Sequence, residues 1–227
     1  MEHVELDRAR LQSASTRVVV AGYTARDEAQ VRHHIEELAR IGVAPPANVP
    51  EFYPMPPGSV VFGDEVVVEG ERTSGEVEPV LVRLDGELYL AVGSDHTDRE
   101  HEAVSVAESK ARCPKPLSTG ALRLAPCELD EVWDVVELVA TVDGAAYQAG
   151  SAHALRPLTE TLRLLEERTG LSPHEDLVLF GGTVALVSGE FVYGERWHLG
   201  LRTPDQTLTL DYRTVVRTTE GATSAQG

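Results

Sequence analysis

Alternation of apolar and polar positions is clearest in the middle of the chain. Residues 76–94 read EVEPVLVRLDGELYLAVGS, two alternating runs hinged on Asp85-Gly86. An Asp-Gly pair between such runs is a strong signal for a two-residue hairpin turn. Pairing outward from it sets Leu84 opposite Glu87, Val82 opposite Tyr89 and Glu78 opposite Gly93. Two residues further, the same register sets Glu76 opposite Asp95. Glu76 and Glu78 share a face with Val80, Val82 and Leu84, while Val77, Pro79, Leu81 and Arg83 form the other. Both faces are largely apolar, so the strand is expected to be buried on both sides.

The flanking patterns predict short elements. Residues 17–23 (RVVVAGY) read as a buried strand. Thr24 and Asp27 resemble a helix-start capping box. The helix after them runs over 28–41, with Val31, Ile35 and Leu38 at helical spacing and Gly42 to close it. The proline-rich stretch 45–57 is expected to be an ordered loop, anchored by Phe52, Tyr53 and Met55 but too rigid for regular structure. Strands are expected at 59–62 and 65–69, and a charged helix over 98–110, stopped by Pro114 and Pro116. Further strands fall at 122–125 and at 135–142, the latter leading through Asp143-Gly144 into 145–148. Residues 157–169 form an amphipathic helix ended by Gly170. DLVLFGG, TVALVSG, RWHLGLR and QTLTLDY then read as strands between 176 and 216. Many strands with three short helices predict an α+β fold with a rolled or barrel-like mixed sheet. One domain is expected over 1–217, with 17–57 as a candidate lid and 218–227 as a disordered tail.

Charge narrows the function. A net charge of −17 argues against nucleic acid or an anionic membrane as partner, since both require a basic surface. An anionic substrate must then be drawn by a local positive feature such as a metal ion. Cys113 and Cys127 do not make a disulfide framework, no signal peptide precedes them, and no apolar run approaches a membrane span. A cytoplasmic, reduced protein is expected.

The hairpin register supplies the chemistry. Directly opposed residues hold their Cβ atoms about 5 Å apart, so Glu76, Glu78 and Asp95 would repel unless a cation or protons intervened. Gly93 is expected to leave room beside Glu78. A hard divalent ion, Mg²⁺ or Mn²⁺, is the simplest resolution. The competing reading is a solvated strand end whose ladder frays before residue 95.

These residues resemble the fumarylacetoacetate hydrolase superfamily, through a bacterial branch known as a domain of unknown function, over roughly residues 17–190. Glu76-Val77-Glu78 and Ser94-Asp95-His96-Thr97-Asp98-Arg99-Glu100 are similar to its E-x-E strand and N-D-x-S-x-R-D motif. His34-Ile35-Glu36-Glu37 resembles its H-x-x-E, although Tyr23 lies farther from the histidine than the family's aromatic. Gly182-Thr183-Val184-Ala185 is similar to its G-T-P-x-G turn without the proline. The resemblance implies a β-roll, a homodimer, and Mg²⁺ or Mn²⁺ held by the three carboxylates. It further implies C–C hydrolysis, decarboxylation, isomerisation or dehydration of small oxo-acids. Two departures stand out. The family lysine of the proline-rich loop is missing from Phe52-Tyr53-Pro54-Met55. Its later lysine falls on either Lys110 or Lys115, and we place it on Lys110.

Other residues carry two readings each. His34 and Glu37 share a helix face and can form a base–orienter pair, or an ordinary surface pair as His33 and Glu36 also can. Arg99 can clamp a substrate carboxylate or pair with Glu102 or Glu100. Gly182 and Thr183 can contact a substrate oxygen or simply make a tight turn. His96 and His101 with Asp95 and Asp98 fit no common zinc spacing. Cys113 has cations nearby that can lower its pKa, but no histidine partner, and reads as structural. The leading expectation is a metal-dependent hydrolase or lyase acting on a small oxo-acid or β-diketo acid. The alternatives are an isomerase, dehydratase or cyclase acting on a larger metabolite, and a non-catalytic acid-binding homologue.

Overall fold

The computed structural model describes residues 1–40 and 45–217, without the side chains of Gln30, His34, Glu37, Leu38 and Pro126. The expected tail, 218–227, lies outside the described residues, as does Gly42. Two sheets dominate. The larger has seven strands in the order Glu2–Glu5, Gly120–Arg123, Glu87–Ser94, Val77–Leu84, Leu177–Phe180, Arg17–Gly22 and Glu51–Pro54. The smaller has five, in the order Ala145–Ser151, Glu137–Val142, Arg196–Arg202, Thr207–Val216 and Glu65–Val68. Both contain parallel and antiparallel pairs. The α+β class with mixed sheets follows directly.

The hairpin holds its expected register, with Leu84 opposite Glu87, Glu78 opposite Gly93 and Val77 opposite Ser94. Asp85 and Gly86 take positive φ of 52° and 81°, the turn geometry that matches strand twist. Every residue of Val77–Leu84 is buried. Its alternate side chains divide between two cores. Val77 and Leu81 join Leu138, Trp197, Leu199 and Leu208 of the smaller sheet. Val80, Val82 and Leu84 pack with Val18, Val20, Val178 and Phe180 on the opposite face. Each fully buried Val or Leu here contributes about 1.5–3 kcal/mol, so this double burial fixes the strand that carries the acids.

The structure corrects several local expectations. Residues Glu51–Pro54 of the proline-rich stretch form a strand, paired with Arg17–Gly22 at the sheet edge, where a missing proline N–H is tolerated. The helix over 28–41 is observed as Glu28–Arg40, and Asp27 rather than Thr24 accepts an early N–H, from Ala29 at 2.8 Å. The expected 98–110 helix is two short ones, Arg99–Glu102 and Val106–Ala111. Ser105 takes an extended conformation and its hydroxyl accepts the Glu108 N–H, so it starts the second helix and separates it from the first. TVALVSG forms no strand, and Pro126–Trp133 is a helix the periodicity did not reveal. Leu158–Thr169 ends as expected on left-handed Gly170. Among the described residues no helix is long and apolar enough to cross a membrane.

Candidate functional site

Beyond the last paired residues, the Asp95 N–H donates to the Glu76 carbonyl at 3.0 Å, which continues the hairpin register to the Glu76–Asp95 position. Glu76, Glu78 and Asp95 therefore stand together at the open end of the hairpin. Glu78 and Asp95 are 3% and 0% exposed. Gly93 does not leave the room expected of it. A Cβ there would fall 2.6 Å from the Phe180 ring and 2.7 Å from Val80, so the glycine makes way for core packing.

Each acid has a different partner. The Lys110 ammonium bonds directly to Asp95 Oδ2, and Lys115 Nζ lies 3.2 Å from Oδ1. Arg99 Nη2 is 2.9 Å from Glu76 Oε2. Glu78 accepts the Gly182 N–H at 2.9 Å. Burial works against the charged form of Asp95, yet Lys110 and Lys115 outweigh it and hold the carboxyl below its usual range. Glu78 goes the other way. Burial and then the Asp95 charge push it well above the usual range, and Lys110 and the Gly182 amide only partly offset them. Lys110 lies in the field of all three acids; Asp95 and Glu76 more than reverse the lowering that burial alone would cause.

The two lysines have separate tasks. Lys115 is completely buried and gives its protons to the carbonyls of His96 at 2.7 Å, Cys113 at 3.1 Å and Lys110. It ties the segment around Asp95 together, and burial lowers its pKa. Lys110 is committed to the Asp95 carboxylate itself, with Nζ 5.9 Å from the centre of the Tyr53 ring.

Other expected site residues take internal partners. Arg99 is held by Ser74 Oγ at 2.7 Å and by both Glu102 oxygens at 3.1 Å, under the Phe191 ring at 3.9 Å. That is the pairing alternative, extended to Glu76. Gly182 has φ +95°, and a Cβ there would fall 1.8 Å from Thr24 Oγ1, so only glycine fits; its N–H serves Glu78. The Thr183 hydroxyl donates to the Val77 carbonyl at 2.8 Å and accepts from Gln148 Nε2 at 2.8 Å. Gln148 in turn accepts the Val77 N–H at 2.9 Å. This turn positions the E-x-E strand. His96 is buried and bonded to Tyr212 Oη at 3.0 Å and Thr73 Oγ1 at 2.9 Å. Burial, then Lys115 and Arg99, pull it down to about 3, so it is neutral. His101 pairs with Glu108. The Cys113 thiol is pushed up to about 11 by burial, against the lowering that its cationic neighbours suggested. His34 and Glu37 are carried by the helix Glu28–Arg40, and their side chains lie outside the described residues.

Sequence reasoning named Tyr23 only beside the family's aromatic and Tyr53 only as an anchor of the proline-rich loop, and placed neither near Lys110. Tyr23 follows the strand Arg17–Gly22 in a left-handed conformation, φ 58°. Its hydroxyl and that of Tyr53 share a hydrogen bond, and both rings lie in the field of Lys110.

Among the described residues no group of three or more His, Cys, Asp or Glu has metal-holding geometry as it stands. The donor set nevertheless fits a hard divalent ion by its chemistry: three carboxylates together, one of them pushed toward its neutral form by burial and then by the Asp95 charge. Two surface clefts, of about 760 Å³ beside Arg83 and Arg123 and about 470 Å³ beside Phe52 and Leu165, lie apart from the acids.

Solved structures share this fold. Fumarylpyruvate hydrolase from Pseudomonas aeruginosa, in complex with Mn²⁺ and pyruvate, matches at TM-score 0.62 and 17% identity, over 88% of this chain and 90% of that one. The apo form of 2-keto-3-deoxy-D-arabinonate dehydratase matches at 0.63 and 17%, over 95% and 83%. The 5-carboxymethyl-2-hydroxymuconate delta-isomerase from Mycobacterium smegmatis matches at 0.61 and 15%, over 91% and 81%. At these identities the likeness establishes the fold. No curated protein sequence matches. The family model described as protein of unknown function DUF2848 matches residues 21–212. The chain therefore belongs to the DUF2848 family, an uncharacterised branch with the fold of the fumarylacetoacetate hydrolase superfamily.

Proposed function

We propose that this chain is a divalent-metal-dependent enzyme that acts on a small oxo-acid or β-diketo acid, as a C–C hydrolase or lyase. The observation that carries the reading is the open end of the hairpin, where three carboxylates stand in the field of one ammonium and, among the described residues, Glu78 has no cation bonded to it. Glu76, Glu78 and Asp95 would hold Mg²⁺ or Mn²⁺. A bound ion supplies Lewis-acid stabilisation of the oxyanion charge that develops on a 2-oxo-acid. The similar structures of a hydrolase with Mn²⁺ and pyruvate, an isomerase and a dehydratase support this class of chemistry and leave the isomerase or dehydratase reading as its neighbour.

The chain's own residues divide the remaining work. Lys110 neutralises charge on the substrate side of Asp95. Lys115, the Gly182–Thr183 turn and Gln148 hold the segments that carry the acids. His34, oriented by Glu37, would take or deliver the proton. Calorimetric titration with Mn²⁺, together with a turnover screen over acylpyruvates and oxaloacetate, tests the assignment. Glu78→Ala is expected to weaken metal binding and abolish turnover together. His34→Ala is expected to keep metal affinity while turnover falls about 10²–10⁴-fold, the usual weight of a positioned acid–base group. Retention of both affinity and turnover in Glu78→Ala would overturn the metal enzyme; full turnover in His34→Ala would remove that residue as the base.

A further inference from the structure

The residues on either side of Asp95 are bonded to one atom. Ser94 Oγ lies 2.8 Å and His96 Nδ1 3.0 Å from the Tyr212 hydroxyl, and all three side chains are buried. Glu76 is tied to the same atom through its own neighbour. A Cβ on Gly75 would fall 2.3 Å from Tyr212 Oη and 2.5 Å from Ser94 Oγ, so the backbone just before Glu76 rests against this phenol. The other ring nitrogen of His96 continues the chain to Thr73 Oγ1 at 2.9 Å. Thr73 and Ser74 in turn pair with Asp98 and Thr97. The two segments that present Glu76 and Asp95 therefore close on Tyr212.

The phenol is itself held. It stands on the strand Thr207–Val216 of the smaller sheet, opposite Trp197, and its ring stacks on the indole at 6.0 Å and 5°. The His96 ring meets Trp197 edge-on at 5.5 Å. Packing alone does not call for the hydroxyl. Phenylalanine would fill nearly the same volume, and a buried phenol costs free energy unless it is partnered. Here both of its partners flank Asp95. A point fixed in the smaller sheet thus sets where the open end of a hairpin from the larger sheet lies. The spacing of the ligand backbones is then fixed, and this matters for ion choice. Mg²⁺ demands near-ideal octahedral geometry at about 2.1 Å, whereas Ca²⁺ accepts a looser cage at about 2.3–2.6 Å.

We propose that Tyr212 is a positioning residue whose hydroxyl sets the separation of Glu76 and Asp95, and thereby makes the site select Mg²⁺ over Ca²⁺. This rests on the acids holding an ion, as proposed above.

Tyr212→Phe keeps the stacked ring and removes only the shared hydroxyl. Calorimetric titration of the full chain with Mg²⁺ and, separately, with Ca²⁺ gives an affinity ratio. In the variant, Mg²⁺ affinity is expected to fall about 10–100-fold, the usual weight of a group that orients metal ligands. Ca²⁺ affinity is expected to fall less, so the ratio narrows. Val142→Ala truncates the core on the strand paired with Trp197 and touches none of these hydrogen bonds. It is expected to keep the wild-type ratio. Ser94→Ala removes one of the two bonds from the other side, and is expected to narrow the ratio by a smaller step even if Tyr212→Phe does not fold.

A second readout needs no metal. The Asp95 N–H, bonded to the Glu76 carbonyl at 3.0 Å, is expected to exchange with deuterium about tenfold faster in metal-free Tyr212→Phe than in the wild type. An unchanged ratio, unchanged exchange at Asp95, or an equal narrowing in Val142→Ala would overturn the positioning role. If neither ion binds the wild type, the metal reading fails and the selectivity falls with it. Exchange at Asp95 then decides by itself whether Tyr212 sets the spacing.

Discussion

The two ends of one hairpin carry ion pairs of similar composition in opposite surroundings. At the turn, Arg10 bridges Asp85 and Asp176, with Asp85 76% exposed. At the open end, Lys115 and Asp95 face each other with both side chains completely buried. Water screens the Arg10–Asp85 contact, so it is worth little and the turn geometry sets the register without it. The second set has no water to fall back on. Each charge must find protein partners, and the arrangement that satisfies them leaves Glu78, among the described residues, with an amide and no cation. The difference shows how the same residue types serve as surface decoration at one end and as a poised site at the other. Burial decides which.

The largest expected effect comes from the buried end. Lys115→Met keeps the length of the stem but leaves Asp95 short of a cation and strips a donor from three carbonyls. Removing one partner of a buried pair typically costs about 3–5 kcal/mol, because the remaining charge is left uncompensated. Urea unfolding is the measurement. A loss no greater than that of an exposed lysine would mean that the buried network is not what orders this end.

A smaller effect separates the acids from each other. Glu78 has its folded-state pKa raised above the ordinary value of 4.5. The folded protein then holds a proton that the unfolded chain has released, so metal-free stability falls as pH rises from about 4.5 through the raised value. Asp95 has the opposite sign: its contribution is present above the ordinary carboxylate pKa and is lost only in strong acid. Glu78→Gln should therefore flatten the decline on the alkaline side of 4.5 and leave the acid limb in place. Thermal midpoints measured in the presence of a chelator across pH would show this. An unchanged slope would place Glu78 in a wetter setting than its burial implies.

The sequence revealed the hairpin because its information is local. Asp85-Gly86 and the two-residue period set the register, and with it the meeting of Glu76, Glu78 and Asp95. The partners of those acids were harder to see because they arrive from far along the chain. Gln148 reaches Val77 across 71 residues and Gly182 reaches Glu78 across 104. Lys110 and Lys115 were visible as candidates, but only the packed structure assigns Lys115 to the carbonyls and Lys110 to the Asp95 carboxylate. Gly93 misled because an absent side chain looks like space, when Phe180 from a neighbouring strand already fills it. The strand Glu51–Pro54 was hidden by its prolines, which an edge position tolerates. The break at Ser105 was hidden by a helical run of charges that a local cap interrupts.

The smallest effect is expected at the turn, where the contrast can be broken most simply. Arg10→Ala removes the bridge to Asp85 and Asp176. Asp85 and Gly86 keep their positive φ angles, which are set by the chain and not by the arginine. Asp85 gives up its contact to water, and the strand register is still held by burial of both faces of Val77–Leu84. Mn²⁺ affinity and turnover on any accepted acid should therefore match the wild type. Amide exchange should quicken only at the turn and leave the 77–82 region protected. If Arg10→Ala instead weakened Mn²⁺ binding, the two ends would be coupled along the hairpin. The surface bridge would then be part of what holds the acids in place.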